Sequence, residues 1–123
     1  TFTGSIDHDR VNELYAESEV AVVPSLYEGF SLPAVQAMAS GLALVCTTAG
    51  AIPEVAGTDG DTALLVSPGD AAALAQALKR ALEDGALRAR LGDAARRRVF
   101  ERFTWKQTAI GTAEQYRKLI DAC

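Results

Sequence analysis

Glu28 is followed by Gly29, Phe30, Ser31 and Leu32, then by Pro33 and the run Ala34-Val35-Gln36-Ala37-Met38-Ala39. These residue types in this order could bind an anion. Pro33 fits the first turn of a helix, where its missing N–H costs nothing, and Ser31 or Leu32 stands at the cap position. A helix amino terminus presents unpaired N–H groups and a positive dipole end to a phosphate. Glu28 is either a ligand-facing carboxylate or a loop carboxylate that caps nearby N–H groups. Gly29 lets a ligand approach the backbone or is a plain turn glycine. Gln36 lies on the helix surface, as a hydrogen-bonding residue or a bland one. His8, the single histidine, lies far upstream in sequence and is not read as a catalytic base, although histidine often fills that role.

The elements that must position this stretch can be read on either side of it. Val20-Ala21-Val22-Val23 is an unbroken apolar run rich in β-branched residues, the pattern of a strand covered on both faces. Pro24 and Ser25 end it. The loop therefore lies at a strand's carboxyl end, where open α/β sheets bind ligands. Upstream, Phe2 and its neighbours, closed by Gly4, are expected to form a short strand. Asp7 or Asp9 caps a helix bearing Val11, Leu14 and Tyr15. Downstream, the helix after Pro33 places Val35, Met38 and Ala39 toward a core and stops at Gly41. Leu42 to Cys46 reads as a second buried strand. Thr47 to Val55 reads as a second ligand-facing loop with one helical turn, because Pro53 tolerates a helix start only. Glu54 there either caps that turn or supports the site. Ala63 to Val66 is a last short strand.

From Asp70 onward the pattern is helical. Leu74, Leu78 and Leu82 recur every four residues, with Asp70 as cap and Gly85 as stop. A helix over 86–101 puts Leu87, Leu91, Ala95 and Val99 on one face. Arg88, Arg90, Arg96, Arg97 and Arg98 fall mostly on the others, as a solvated face. Thr104-Trp105-Lys106-Gln107 is a capping box for a last helix through Ala109, Ala113, Tyr116 and Ile120, with Trp105 as a packing anchor. The expected fold class is α/β: a partial Rossmann-like parallel sheet of about four strands with a helical carboxyl-terminal tail. The chain is read as one partial domain, 1–123, with strands and helices alternating over 1–69 and helices over 70–123.

Composition excludes several classes. Hydrophobic residues make up 49% of the 123 and charged ones 23%, which is a folding composition. The 12 Lys and Arg against 16 Asp and Glu give a net charge of -4, so nucleic acid is not an expected partner. Cys46 lies in an apolar run and Cys123 is the last residue, which fits neither a disulfide framework nor a metal knuckle. With no signal-peptide pattern and no apolar run of roughly 18 residues, a cytoplasmic location is expected.

The run Ser25-Leu26-Tyr27-Glu28-Gly29-Phe30-Ser31-Leu32-Pro33, continuing to Ala37-Met38-Ala39-Ser40-Gly41, resembles the donor-binding half of GT-B glycosyltransferases of the large retaining "group 1" family. Further matches run in order along the chain. They include Thr3-Gly4, Leu14-Tyr15, Gly50-Ala51-Ile52-Pro53-Glu54-Val55, Leu65-Val66 with Pro68-Gly69-Asp70, and Phe103-Thr104-Trp105. The resemblance implies transfer of a sugar from a nucleotide diphosphate sugar to an acceptor, with retention and without a metal or other cofactor. It implies that Glu28 faces the donor sugar and reacting centre, as the catalytic residue, and that Gly29, Phe30, Ser31 and Leu32 approach the diphosphate or sugar. The family's second Glu, which grips the ribose hydroxyls, falls on Gln36. A neutral amide there weakens a charge-assisted contact by about 1 kcal/mol, less than tenfold in affinity.

The resemblance also implies what lies outside these residues. A GT-B enzyme has two Rossmann-like domains. The acceptor domain and the first two strands of the donor domain have no counterpart here, so this chain alone is not expected to catalyse. Any peripheral membrane association would be through the absent domain. No Lys or Arg lies between Arg10 and Lys79, so phosphate charge would be met by backbone N–H groups unless a helical arginine folds back. The Phe2 strand is expected to pair beside Val20–Val23, leaving an open sheet edge that invites a homodimer. The alternatives are a stand-alone noncatalytic module for nucleotide sugars or protein interaction, and a generic nucleotide-binding domain.

Overall fold

The computed structural model describes residues 1–122; Cys123 lies outside the described residues. Six helices and three strands follow in the order α1 (His8–Glu17), β1 (Val20–Val23), α2 (Leu32–Ala39), β2 (Ala43–Thr47), α3 (Ile52–Ala56), β3 (Leu64–Val66), α4 (Ala71–Glu83), α5 (Gly85–Arg102) and α6 (Trp105–Asp121). The strands form one parallel sheet in the order β1-β2-β3. Val20 pairs with Ala43 and Val23 with Cys46, while Val45 pairs with Leu64 and Thr47 with Val66. The α/β class and the helical carboxyl-terminal region are as expected, but the sheet has three strands. Phe2 is fully exposed and residues 1–7 form no strand. Around Phe2 the segment is polar, and α1 runs straight into β1, so no second apolar strand is present to pair there.

The pleat divides the core. On β2, Leu44 and Cys46 point to one face and Ala43 and Val45 to the other, following the two-residue period of a strand. The first face is covered by Ala34, Ala37 and Met38 of α2, Ile52 and Val55 of α3, and Ala95 and Val99 of α5. The second is covered by Ala81 of α4 and Leu87 and Leu91 of α5. α5 thus serves both layers, with its predicted apolar stripe buried throughout. It comes close to the turn after α2 because residue 92 is glycine: a Cβ there would lie 2.1 Å from Gly41 O.

Caps set most helix starts. Asp7, not Asp9, accepts the Arg10 N–H at 2.8 Å, and Asp70 accepts that of Ala73 at 2.8 Å. Gly41 ends the helix before it with φ +78°, as read from the sequence. Gly85 does not stop α4; Asp84 ends α4 and its carboxylate accepts the Leu87 N–H at 2.9 Å, so one residue caps both helices. The stripe of α4 runs through Leu74, Leu78 and Ala81, and Leu82 is exposed, because a helix period is shorter than four. β1 is not covered on both faces: Val22 is 39% exposed. α6 has no buried residue, and Trp105 is 89% exposed, so among the described residues it is not the packing anchor expected. No helix among the described residues is long and apolar enough to cross a membrane.

Candidate functional site

The site grows out of the carboxyl ends of β1 and β2. β1 ends at Val23 and the chain turns through Pro24 and Ser25. Thr47, the last residue of β2 and buried, donates its hydroxyl to Ser25 O at 2.6 Å. Ser25 Oγ in turn donates to Glu28 Oε1 at 2.8 Å. The Glu28 carboxylate is therefore tied through one serine to the ends of two paired strands. It is half-buried.

A second segment holds Glu28 by its backbone. The Ala51 N–H donates to Glu28 O at 2.9 Å. Gly50, at φ +54°, packs so closely that a Cβ would sit 2.1 Å from Glu28 O. Two requirements thus demand glycine: a left-handed backbone and the space of a side chain. Gly29, by contrast, has no positive φ and open space around it, so the protein itself places no such demand there.

The loop then enters α2. Ser31 is fully buried and its hydroxyl accepts the Ala34 N–H at 3.4 Å, which settles the cap on Ser31. The Leu32 N–H turns back onto Phe30 O at 3.2 Å. Phe30 is tilted against Phe103, with ring centroids 6.1 Å apart, beside a groove of about 340 Å³ that also involves Leu32 and Trp105. Gln36 lies one turn beyond Leu32, half-buried. Among the described residues no hydrogen bond joins it to Glu28. The contiguous residues 28–32 thus share one loop at the amino end of α2, and Gln36 follows on its helix.

α3 follows Gly50–Ala51, and its carboxyl end is satisfied carbonyl by carbonyl. Pro53 O accepts from the Gly57 N–H at 2.9 Å, and Ala56 O accepts from Thr62 Oγ1. The remaining two are taken by Arg98, whose Nη2 donates to Glu54 O at 2.8 Å and Nε to Val55 O at 2.8 Å. A helix leaves its last four carbonyls unpaired, and here all four have partners. Burial, and after it the charge of Arg102, lowers the Arg98 pKa from its ordinary value. The Glu54 side chain is exposed and makes no cap for α3.

Two of the five arginines read as a solvated face therefore fold inward. Arg88 donates to Ala81 O at 3.0 Å and Leu82 O at 2.7 Å at the end of α4 and meets Glu19 at 3.4 Å, while Arg90, Arg96 and Arg97 stay exposed. Sequence reasoning missed Arg98 because the arginine run 96–98 gives no sign of which member leans toward α3. It placed Gly50 in a ligand-facing loop but could not foresee its contact with Glu28. The serine three residues before Glu28 was the available signal for the Ser25 tie.

A cavity of about 150 Å³ lies at the carboxyl ends of the strands, between Pro24, Leu26, Thr47, Val66 and Asp70. A larger groove, about 260 Å³, lies between α1 and β1 and reaches Val23 at the end of that strand and Pro33 at the start of α2. His8 is exposed at the start of α1. Among the described residues no three His, Cys, Asp or Glu side chains gather as a metal-binding group.

Comparison with known proteins gives this geometry a family. The chain is 48% identical over 118 residues to the MMP alpha-(1->4)-mannosyltransferase of Mycolicibacterium hassiacum, covering 96% of this chain and 29% of that protein. Its fold matches a sucrose-phosphate synthase from Thermosynechococcus elongatus with a TM-score of 0.86 and 40% identity, over 100% of this chain and 31% of that one. It also matches the C-terminal domain of a glycosyl transferase group 1 family protein from Francisella tularensis, with a TM-score of 0.77, 32% identity, and coverage of 85% and 53%. The chain thus spans less than a third of the mannosyltransferase and the synthase. The family model described as glycosyl transferases group 1 matches residues 1–98. By that match over most of its length, this chain belongs to the glycosyl transferases group 1 family.

Proposed function

We propose that the loop from Glu28 to Leu32 is the donor side of a retaining glycosyltransferase site, binding a nucleotide diphosphate sugar without a metal. The observation that carries this reading is the Glu28 carboxylate, fixed by Ser25 at the strand ends in the loop that leads into α2. A fixed carboxylate beside a donor sugar stabilises positive charge developing at the anomeric carbon as the diphosphate leaves. The amides of Gly29, Phe30 and Ser31 face the diphosphate. Leu32, whose N–H is turned onto Phe30 O, makes the tight turn that presents them. Gln36 meets the ribose hydroxyls as a neutral partner.

Transfer itself requires an acceptor-binding domain, which these 123 residues do not contain; the partners are therefore the nucleotide sugar and that domain. The setting is cytoplasmic. Titration calorimetry with UDP-glucose, GDP-mannose and ADP-glucose, each against its bare nucleoside diphosphate, tests the donor site. The chain should prefer one sugar nucleotide over its parent diphosphate, and Glu28→Ala should abolish that preference. Equal behaviour of both proteins sinks the site.

A further inference from the structure

We infer that Arg98 is a positioning residue for the Glu28 loop, acting through α3, which it clamps by the last carbonyls. The inference deepens the donor-site reading and rests on it. Glu28 is held on one side by Ser25 and on the other by the Gly50–Ala51 segment. That segment leads directly into α3, a helix of 5 residues. A helix this short transmits a tilt at one end to the other. Its far end is fixed by the Arg98 fork, two donors on two successive carbonyls at 2.8 Å. Gly57, at φ +85°, leaves room for the guanidinium: a Cβ there would come within 3.2 Å of Arg98 Nε.

The chain of contacts is continuous: α5, Arg98, the Glu54 and Val55 carbonyls, α3, Ala51 N–H, Glu28 O. The same geometry explains why charge on Arg98 need not touch a ligand to matter. An arginine fork can satisfy two diverging carbonyls at once, whereas a lysine offers a point charge that cannot span them in the same way. Losing the fork frees α3 to tilt, and the Gly50–Ala51 contact with Glu28 loosens with it. The expected effect falls on contacts made by Glu28 and not on nucleotide contacts elsewhere.

Hydrogen exchange by NMR on the 123-residue chain reads the first step without any ligand. In Arg98→Lys and Arg98→Ala the Ala51 amide should lose protection by roughly tenfold more than the Val45 amide at the sheet centre, which reports global opening. Unchanged relative protection of Ala51 overturns the inference. The second step uses UDP-glucose, GDP-mannose and ADP-glucose with their bare diphosphates. Arg98→Lys should reduce the preference for the sugar nucleotide by roughly three- to tenfold. In a Glu28→Ala background the same change should leave the residual affinity for the sugar nucleotide unchanged. A further loss of that affinity by roughly three- to tenfold in that background overturns positioning through Glu28. If Glu28→Ala removes the preference and Arg98→Lys leaves it intact, the positioning role alone falls. If Glu28→Ala leaves it intact, the donor-site reading falls and takes this inference with it. Should Arg98→Ala fail to fold, the Lys variant, which keeps the charge but not the planar fork, decides.

Discussion

At the scale of single residues, Gly50 carries more of the site than its neighbours in the sequence would announce. Gly50→Ala meets both a positive φ and the Glu28 carbonyl, so it should cost about 1–3 kcal/mol in urea unfolding and displace the loop. Gly29→Ala meets neither and should unfold at the wild-type urea midpoint. Glu28, Ser31 and the turn were legible because each carries a local signature of loop, cap and Pro. Gly50's contact and the choice of Arg98 over Arg97 were not, because both depend on segments 22 and 43 residues away in sequence. Cys46 makes a separate prediction. Burial first, and Asp59 second, pushes its thiol up to about 12 from 9.0. Between those values the unfolded chain has lost the proton that the native chain keeps, so stability is full below about pH 9 and falls as pH rises toward 12. Burial raises the Tyr15 pKa as well, which adds in the same direction. Urea midpoints from pH 8 to 11 should decline, and Cys46→Ala should flatten that decline.

At the scale of elements, α2 depends on one hydroxyl. Ser31 is buried and capping, so Ser31→Ala should destabilise by about 1 kcal/mol, and Ser31→Asn should not restore it because the pocket has no room for an amide. The measurement is thermal unfolding of both variants. Element order was legible nearly throughout: β1, α2, β2, β3, α4 and α5 lie where their apolar patterns put them, and α3 where Pro53 allows a helix to start. The misses have physical causes. Leu82 follows a four-residue repeat that a 3.6-residue helix carries off the core face. Gly85 looked like a stop, but Asp84 caps two helices and leaves no linker for a glycine to turn. The apolar positions of α6 follow a helical period as expected, yet no described residue covers them. Periodicity reports which face is apolar, never what lies against it.

At the scale of the molecule, β1 is an edge strand, and self-association through it is open to test. The expected edge exists, but it is bare because Phe2 pairs with nothing, and β1 has β2 as its single partner among the described strands. β1 and β3 are both edge strands, and β1, with Val22 part-exposed, is the edge expected to self-associate at high concentration. Val22→Lys should restore a monomer in light scattering by charging that edge. The Rossmann-like class could be read from the alternation of strands and helices. The strand count could not, since a polar heptapeptide with one phenylalanine and one isoleucine looks like a strand only if a partner is assumed. The loop from Glu28 to Leu32 and the start of α2 contain no cation, and the chain bears a net charge of -4. A diphosphate bound at the proposed site would therefore meet hydrogen-bond donors in a field of its own sign. For most phosphate sites added electrolyte weakens binding by screening attraction. Here the same ions screen repulsion, and raising the ionic strength should leave the donor's affinity unchanged or tighten it.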